Sequence, residues 1–405
     1  MSTTDKAPVQ DFATDFDHTD PSWVKDPYPI WDDLRQRCPI AHTDRYGGAW
    51  LPTRHEDVAA IAHDTDHFTS WTVVVGNGRP GEDALPPPIG VAPPITSDPP
   101  FHAMARRLLQ PVFAPKQIDL YESYVRELCG KLLDPFVGGS AIDASLDYAE
   151  HIPVGVIAKM LGFPEEDGEI FRGFVHTILE AVDKEPEERI EDFQPVIDYF
   201  TARIEEHREN PQDDLTTFLL EAKLGDMELA PEHVFGSMLL LIVAGIDTTW
   251  SAIGSSIWHL AQHPEEVARL KSEPGLLDTA IEEFLRAYSP VTMARLVKED
   301  MDYAGCPMKK DDWILLSFPA ANRDPEMFEN PDEVIIDRKV NRHAAFGLGI
   351  HRCLGSNLAR MEMRVALEEF LARFDSFSLA DPDAVTWSQG QVRGPRSLPL
   401  TLGNF

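Results

Sequence analysis

Residues 346–355 read FGLGIHRCLG, and they restrict the fold more than any other stretch of this chain. Gly347, Gly349 and Gly355 remove side chains from backbone that must either turn at positive φ or press against something flat and large. The stretch holds one cysteine, Cys353, and runs straight into LGSNLARMEMRVALEEFLARF, whose apolar residues recur at helical spacing. The sulfur is thus expected at a helix N-terminus, where free N–H groups lower a thiol pKa and favour the thiolate that binds metals. Other readings compete. A dinucleotide-binding loop would need glycine at 352, which is arginine, within a strand–loop–helix unit that does not surround it. A buried structural cysteine leaves the glycines without a reason, and a nucleophilic one needs a base that the sequence does not place.

A loop of this kind needs a large frame. The chain has 405 residues, 43% of them hydrophobic, and no Gly/Ser linker or internal repeat, so residues 1–405 are expected to form one domain. The sequence predicts a mainly α architecture with a smaller β portion, an α+β fold. A helical pattern over residues 231–262 opens at Pro231 and Glu232 and closes at His263 and Pro264. Phe171, Phe174, Val175, Ile178, Leu179 and Val182 share one face of another helix. HEDVAAIAHD reads as a short helix, DWILLSF as a strand, and GGAWLPT follows a turn signal. Residues 76–100 are too rich in Pro and Gly for regular structure, and a long loop inside a compact domain is usually functional.

A formal net charge of −32 argues against nucleic acid and anionic membranes as partners. The four cysteines lack paired spacing, as expected where thiols stay reduced. The N-terminus carries no signal-peptide pattern, and the longest apolar run, residues 238–244, is short for a bilayer span, so a cytoplasmic protein is expected. One region reverses the charge. Residues 338–360 contain Arg338, Lys339, Arg342, Arg352 and Arg360 with no Asp or Glu, and this basic island surrounds Cys353.

LLLIVAGIDTTWSAIG is a helix that weakens itself. Gly245 in a helix interior costs about 1 kcal/mol relative to alanine, and the threonines beside it can bond back to carbonyls a turn earlier. Either this is a polar patch on a buried helix, or the chain has a use for the gap.

The run Phe346-Gly347-x-Gly349-x-His351-x-Cys353-x-Gly355 resembles the haem-binding signature of the cytochrome P-450 family. The resemblance implies that Cys353 is the axial thiolate of haem b iron, that Phe346 shields the sulfur, that His351 reaches a propionate, and that the glycines admit the porphyrin. His102 and Arg106 in DPPFHAMARR, and Arg295 in VTMARLV, stand where the family binds propionates, with Met104 and Ala105 a mild departure. Glu283 and Arg286 in EEFLR resemble the family's structural pair, which a further arginine, here Arg338, would join. Ala244 and Gly245 would leave room for dioxygen, Thr248 would hold the proton-accepting group, and Asp247 would relay protons from solvent.

The resemblance therefore implies a reductive monooxygenase without a fused reductase. Its electrons would come from a small acidic ferredoxin, itself reduced by an NAD(P)H-dependent flavoprotein, docking on Arg107, Lys339, Arg342 and Arg352. The substrate pocket would be lined by Trp71, Ile89, Ile178, Leu240, Val243, Val291, Met293 and Val392. These residues suit a small, neutral, hydrophobic or aromatic molecule, attacked by hydroxylation or oxidative O-dealkylation, and the protein is expected to be a monomer. A peroxide-driven enzyme of the same fold and a non-enzymatic haem or gas-binding protein are the alternatives.

Overall fold

The strongest helical pattern in the sequence becomes the axis of the molecule. In the computed structural model, which describes residues 7–76, 91–180 and 186–403, Pro231–Leu260 is one helix of 30 residues. Pro231 sits in its first turn, where a missing N–H costs nothing, and Glu232 complements the positive end of the dipole. The helices that build the site are α1 (His55–His63), α2 (Phe101–Leu109), α3 (Glu122–Leu133), α4 (His151–Leu161), α5 (Gly168–Val175), the axial α6 (Pro231–Leu260), α7 (Leu277–Ala287) and α8 (Ser356–Arg373).

Helix α6 packs on α4, α5, α7 and α8, while α3 lies against α8. Met238, Ile242, Ile246, Ile253 and Ile257 of α6 are completely buried, a stripe at near-helical spacing that draws its free energy from the area removed from water. A second stripe escapes this packing: Leu240, Val243, Gly245 and Thr248 are half-buried and Ala244 is exposed. The helix is long and apolar enough to cross a bilayer, but 61% of its most apolar window is buried inside the protein, as in a core helix.

Five strands form the main sheet: β1 (Ile40–Thr43), β2 (Ala49–Pro52), β3 (Phe68–Thr69), β4 (Thr292–Val297) and β5 (Trp313–Ser317). Their order is β1-β2-β5-β4-β3, parallel only between β2 and β5. Two-residue alternation divides the side chains. Ala294, Leu296, Trp313 and Leu315 join one apolar cluster, whereas Val297, Ile314 and Leu316 join another that includes Met293 and the buried residues of α1. The same alternation puts Arg295 on the Met293 face. A further strand, β6 (Pro395–Ser397), lies along α6.

The helix expected to run on to residue 182 changes pitch: α5 ends at Val175 and His176–Glu180 continues as a π turn. Phe171, Phe174 and Val175 are buried and Ile178 is half-buried. Val182, Ile89 and most of the expected 76–100 loop lie outside the described residues, as does the side chain of Leu179.

Candidate active site

The cysteine loop is held by its own backbone. Gly347 and Gly349 have φ of 70° and 69°, the left-handed region that side chains disfavour. Gly349 has a second reason to be glycine, because a Cβ there would lie 2.3 Å from the Ala62 carbonyl oxygen at the end of α1. The Cys353 N–H donates to the Phe346 carbonyl at 2.7 Å and closes the loop, and Gly355 caps α8 directly afterwards. The Phe346 ring carries the Arg360 guanidinium 4.3 Å above its centroid.

The thiol itself departs from expectation. Cys353 is exposed to one side, with the loop backbone and Arg106, Arg352 and Arg360 around its sulfur. Burial pushes the thiol pKa up, against the Gly355 N–H and the charges of Arg106, Arg352 and Arg360. The helix terminus and the nearby arginines favour thiolate against that desolvation, and a metal cation meeting the sulfur would deprotonate it outright.

Beside the loop, four bases crowd together. His102 packs edge-on against His351 at 4.3 Å between ring centroids, and His351 Nε2 lies 2.9 Å from Ser70 Oγ. Arg106, one turn after His102 on α2, donates to the Arg352 carbonyl at 2.6 Å. Arg295, only 4% exposed, donates to the Ala294 carbonyl. Burial and the neighbouring positive charges bring His102 down to about 4 and His351 down to about 2. Burial also brings Arg295 down to about 10, with Asp98 opposing. Buried cations without matching carboxylates are costly, so this cluster is built for an anion. His102 Nε2, buried and without a hydrogen-bond partner among the described residues, is one donor left for it. The two carboxylates of a haem fit this set, with Cys353 as the soft ligand for its iron.

The next shell fixes the loop from behind. Glu283 and Arg286 on α7 are completely buried and pair at 2.8 Å, and Arg338 reaches the same carboxylate at 2.9 Å. Glu283 also accepts from the Ile335 N–H and Asn341, while Arg286 donates to the carbonyls of Asn322, Pro331 and Glu333. Six residues from two stretches of chain, Asn322 and 331–341, thus converge on one ion pair.

On α6, one expectation needs correction. Gly245 has a second reason to be glycine: a Cβ on it would come within 2.5 Å of Ile157 Cδ1, so its absence lets α6 approach α4. Asp247 has no exposed surface and so takes no proton directly from solvent; its carboxylate meets Arg396 of β6 at 2.7 Å. Thr248 is half-buried on the open stripe, and its hydroxyl donates to the Ala244 carbonyl at 2.8 Å, the back-bond that relaxes a helix.

Among the residues expected to line a pocket, Trp71, Ile178, Leu240, Val243, Val291 and Met293 are half-buried, while Val392 is buried and bridges Val291 through the backbone. Sequence reasoning missed Gln391, which ties these walls together. Its amide donates to Val73 and Thr292 carbonyls and accepts from the Val75 N–H.

The basic island is smaller than the sequence suggests. Arg338 is engaged by Glu283. Arg360 is engaged by Glu282 at 2.5 Å, a carboxylate that also meets His343. Arg107, Lys339, Arg342 and Arg352 remain exposed, with no ion pair among the described residues. Glu282 was missed although EEFLR announces two adjacent acids; Arg396, in RGPRSLPL, has no local signal at all.

Comparison with known proteins defines the class. The cytochrome P-450 family profile matches residues 156–387, more than half of the chain. The polyketide biosynthesis cytochrome P-450 PksS of Bacillus subtilis (strain 168) is 32% identical over 387 residues, covering 93% of this chain and 96% of the relative. The nocardicin C N-oxygenase of Nocardia uniformis is 34% identical, covering 91% and 92%. CYP109E1 of Bacillus megaterium, solved in complex with testosterone, superimposes with a TM-score of 0.84 at 31% identity, covering 93% of this chain and 97% of that one. The chain belongs to the cytochrome P-450 family of haem-dependent monooxygenases. Relatives of such different names at similar identity show that family membership leaves the substrate open.

Proposed function

We propose that this protein is a haem b monooxygenase that inserts one atom of dioxygen into a small, neutral, hydrophobic or aromatic substrate, by hydroxylation or oxidative O-dealkylation. A small acidic ferredoxin with an NAD(P)H-dependent reductase is its electron source, and it works as a cytoplasmic monomer of one domain. The observation that carries this reading is the junction of Cys353 with the four-base cluster: Arg106, one turn after His102, donates to the carbonyl of Arg352, the residue next to Cys353.

Haem held here supplies thiolate-ligated iron, whose chemistry favours cleavage of the dioxygen bond. The chain does the rest. Cys353 would ligate the iron, Arg106 and Arg295 would supply positive charge to the propionates, and His102 and His351 would hydrogen-bond to them as neutral imidazoles. Thr248 presents a hydroxyl from the open stripe of α6, and Asp247 governs the supply of protons to it. Leu240, Val243, Ala244, Val291 and Met293 offer no charge, so they select an apolar molecule and exclude water. A relative solved with testosterone supports an apolar ligand. The exposed cations Arg107, Lys339, Arg342 and Arg352 suit an acidic partner.

The test begins with the ferrous carbonyl spectrum of the purified protein, which should show the band of thiolate-ligated haem and lose it on Cys353→His. Oxidation of NADH with a reconstituted ferredoxin pair should follow. A protein that binds haem but oxidises no NADH would be a haem or gas binder instead, and one that turns over only with added peroxide would be a peroxygenase.

A further inference from the structure

Asp247 lies at the middle of α6, and the arginine that meets it comes from near the other end of the sequence. Arg396 Nη2 stands 2.7 Å from Asp247 Oδ1. The guanidinium is itself held in place: it lies 4.2 Å over the Trp250 ring, and Nη1 donates to Ser251 Oγ at 3.3 Å. The Trp250 indole donates to Ser145 Oγ at 2.7 Å, and that hydroxyl donates to the Pro395 carbonyl at 2.7 Å. The residue before Arg396 is thereby bonded, through Ser145, to the ring beneath Arg396.

Strand β6 has no slack against the helix. A Cβ on Gly254 would be 2.8 Å from Pro395 Cγ, and one on Gly394 would be 2.3 Å from Ser251 Cβ. Contacts this close allow Arg396 one approach to α6. Other charges face the pair from neighbouring elements. Glu150, just before α4, is buried and feels both Arg396 and Asp247; its carboxyl is pushed up by burial, against Arg172 and Arg396. Arg172 of α5 meets Glu150 at 2.5 Å and also meets Glu169, whose side chain is 83% exposed. Asp143 adds a further negative charge and accepts from Ser397. Acid and base therefore alternate from the surface inward to Asp247.

An arginine does not release its proton at physiological pH, so Arg396 is no link in a proton chain. We propose that Arg396 is the positioning residue for Asp247: its fixed positive charge keeps the buried carboxylate ionised and oriented, with Trp250 as the platform that fixes the guanidinium. A buried carboxylate that loses a positive charge beside it is pushed toward its protonated form. The inference rests on the role given to Asp247 under the proposed function, but it concerns charge, and charge can be read without turnover.

The experiment uses the ferric holoprotein. Infrared difference spectra between about pH 5 and about pH 8 report carboxylic acid C=O groups directly. Arg396→Gln should show a protonated-acid band near neutral pH that is absent from the native protein and absent again from the Arg396→Gln/Asp247→Asn double variant. Arg396→Lys, which keeps the charge and loses the fork, should restore the native spectrum. NADH-driven dioxygen consumption should fall about tenfold in Arg396→Gln, with a larger solvent isotope effect, as for a misplaced proton donor. A spectrum of Arg396→Gln identical to native across the range overturns the inference, as does an added band that survives Asp247→Asn. If Arg396→Gln does not fold, Trp250→Leu removes the platform and the indole bond to Ser145 but keeps the guanidinium, and should give the same band at lower amplitude; its absence there overturns the inference equally. Native protein that consumes no dioxygen with NADH refutes the proposed function while leaving the infrared result standing.

Discussion

The two sides of the candidate site are built by opposite means. Behind the cysteine loop, Glu283 is completely buried and receives Arg286, Arg338, Asn341 and the Ile335 N–H, so many strands of loop depend on one carboxylate. On α6 the Thr248 hydroxyl bonds, among the described residues, within its own helix turn to Ala244, on a stripe that is half-buried. The first arrangement is redundant structure and the second is access. A substitution behind the loop should therefore act on folding, and one on the open stripe should act on chemistry with folding intact.

The largest expected effect tests the first half. Glu283→Ala leaves two buried guanidinium groups without their anion, and breaking a buried pair by removing one partner costs about 3–5 kcal/mol. Against a total stability of about 5–15 kcal/mol, that change should lower the denaturation midpoint steeply and reduce the yield of haem-loaded protein. A variant with native stability and native haem content would show that the convergence on Glu283 is ornamental.

Thr248→Ala tests the other half and should be nearly silent in stability. The threonine is half-buried and its hydroxyl gives up only a bond to its own helix; such changes stay within about 0.5 kcal/mol. Coupling should suffer instead, with product per NADH falling about tenfold or more while substrate-induced spectral shifts persist. Native coupling in this variant would move the proton-holding role elsewhere, with Thr249 the nearest hydroxyl in sequence.

How much of this was legible beforehand follows the same division. The cysteine loop is local: its glycines, its cysteine and the start of α8 lie within a few residues, so their spacing alone carries the geometry. The face of α7 that bears Glu283 and Arg286 is local too. What could not be read is what other segments impose. Gly245 looks like a gap in the sequence and is a contact with Ile157 in space. Asp247 looks solvent-linked and is buried against Arg396, whose number in the chain gives no hint of α6. The thiol was expected low because a helix terminus is visible in sequence, whereas desolvation depends on everything packed around it.

Glu282, beside Glu283, allows a finer comparison because its pair is only partly covered. Burial pushes its carboxyl up, and hydrogen bonds from Arg360 and His343 more than offset this, bringing it down to about 2. A carboxyl held below its unfolded value of 4.5 stabilises fully above that pH. The contribution is then lost as pH falls toward about 2. With the side chain 29% exposed, solvent screening limits it to about 1–2 kcal/mol. Glu282→Gln should flatten the acid-denaturation slope across that window. An unchanged slope would mean that the pair contributes nothing measurable.

The smallest expected effect concerns the exposed cations. Arg342 and Arg360 belong to the same basic island in sequence, but Arg342 is exposed and Arg360 is engaged by Glu282 over the Phe346 ring. Charge reversal at the two should therefore differ in kind. Arg360→Glu replaces the partner of Glu282 by a second carboxylate and should appear as lost stability. Arg342→Glu should leave the denaturation curve unchanged and slow only the encounter with an acidic electron donor, by a few-fold at low salt, since rim charges act mainly on association rate. Because the Debye length shortens from about 30 Å at 0.01 M to about 10 Å at 0.1 M, the difference between native and Arg342→Glu reduction rates should close as salt rises. A gap that persists at high salt would place Arg342 inside a packed contact, and no gap at any salt would move the docking face away from the cysteine loop.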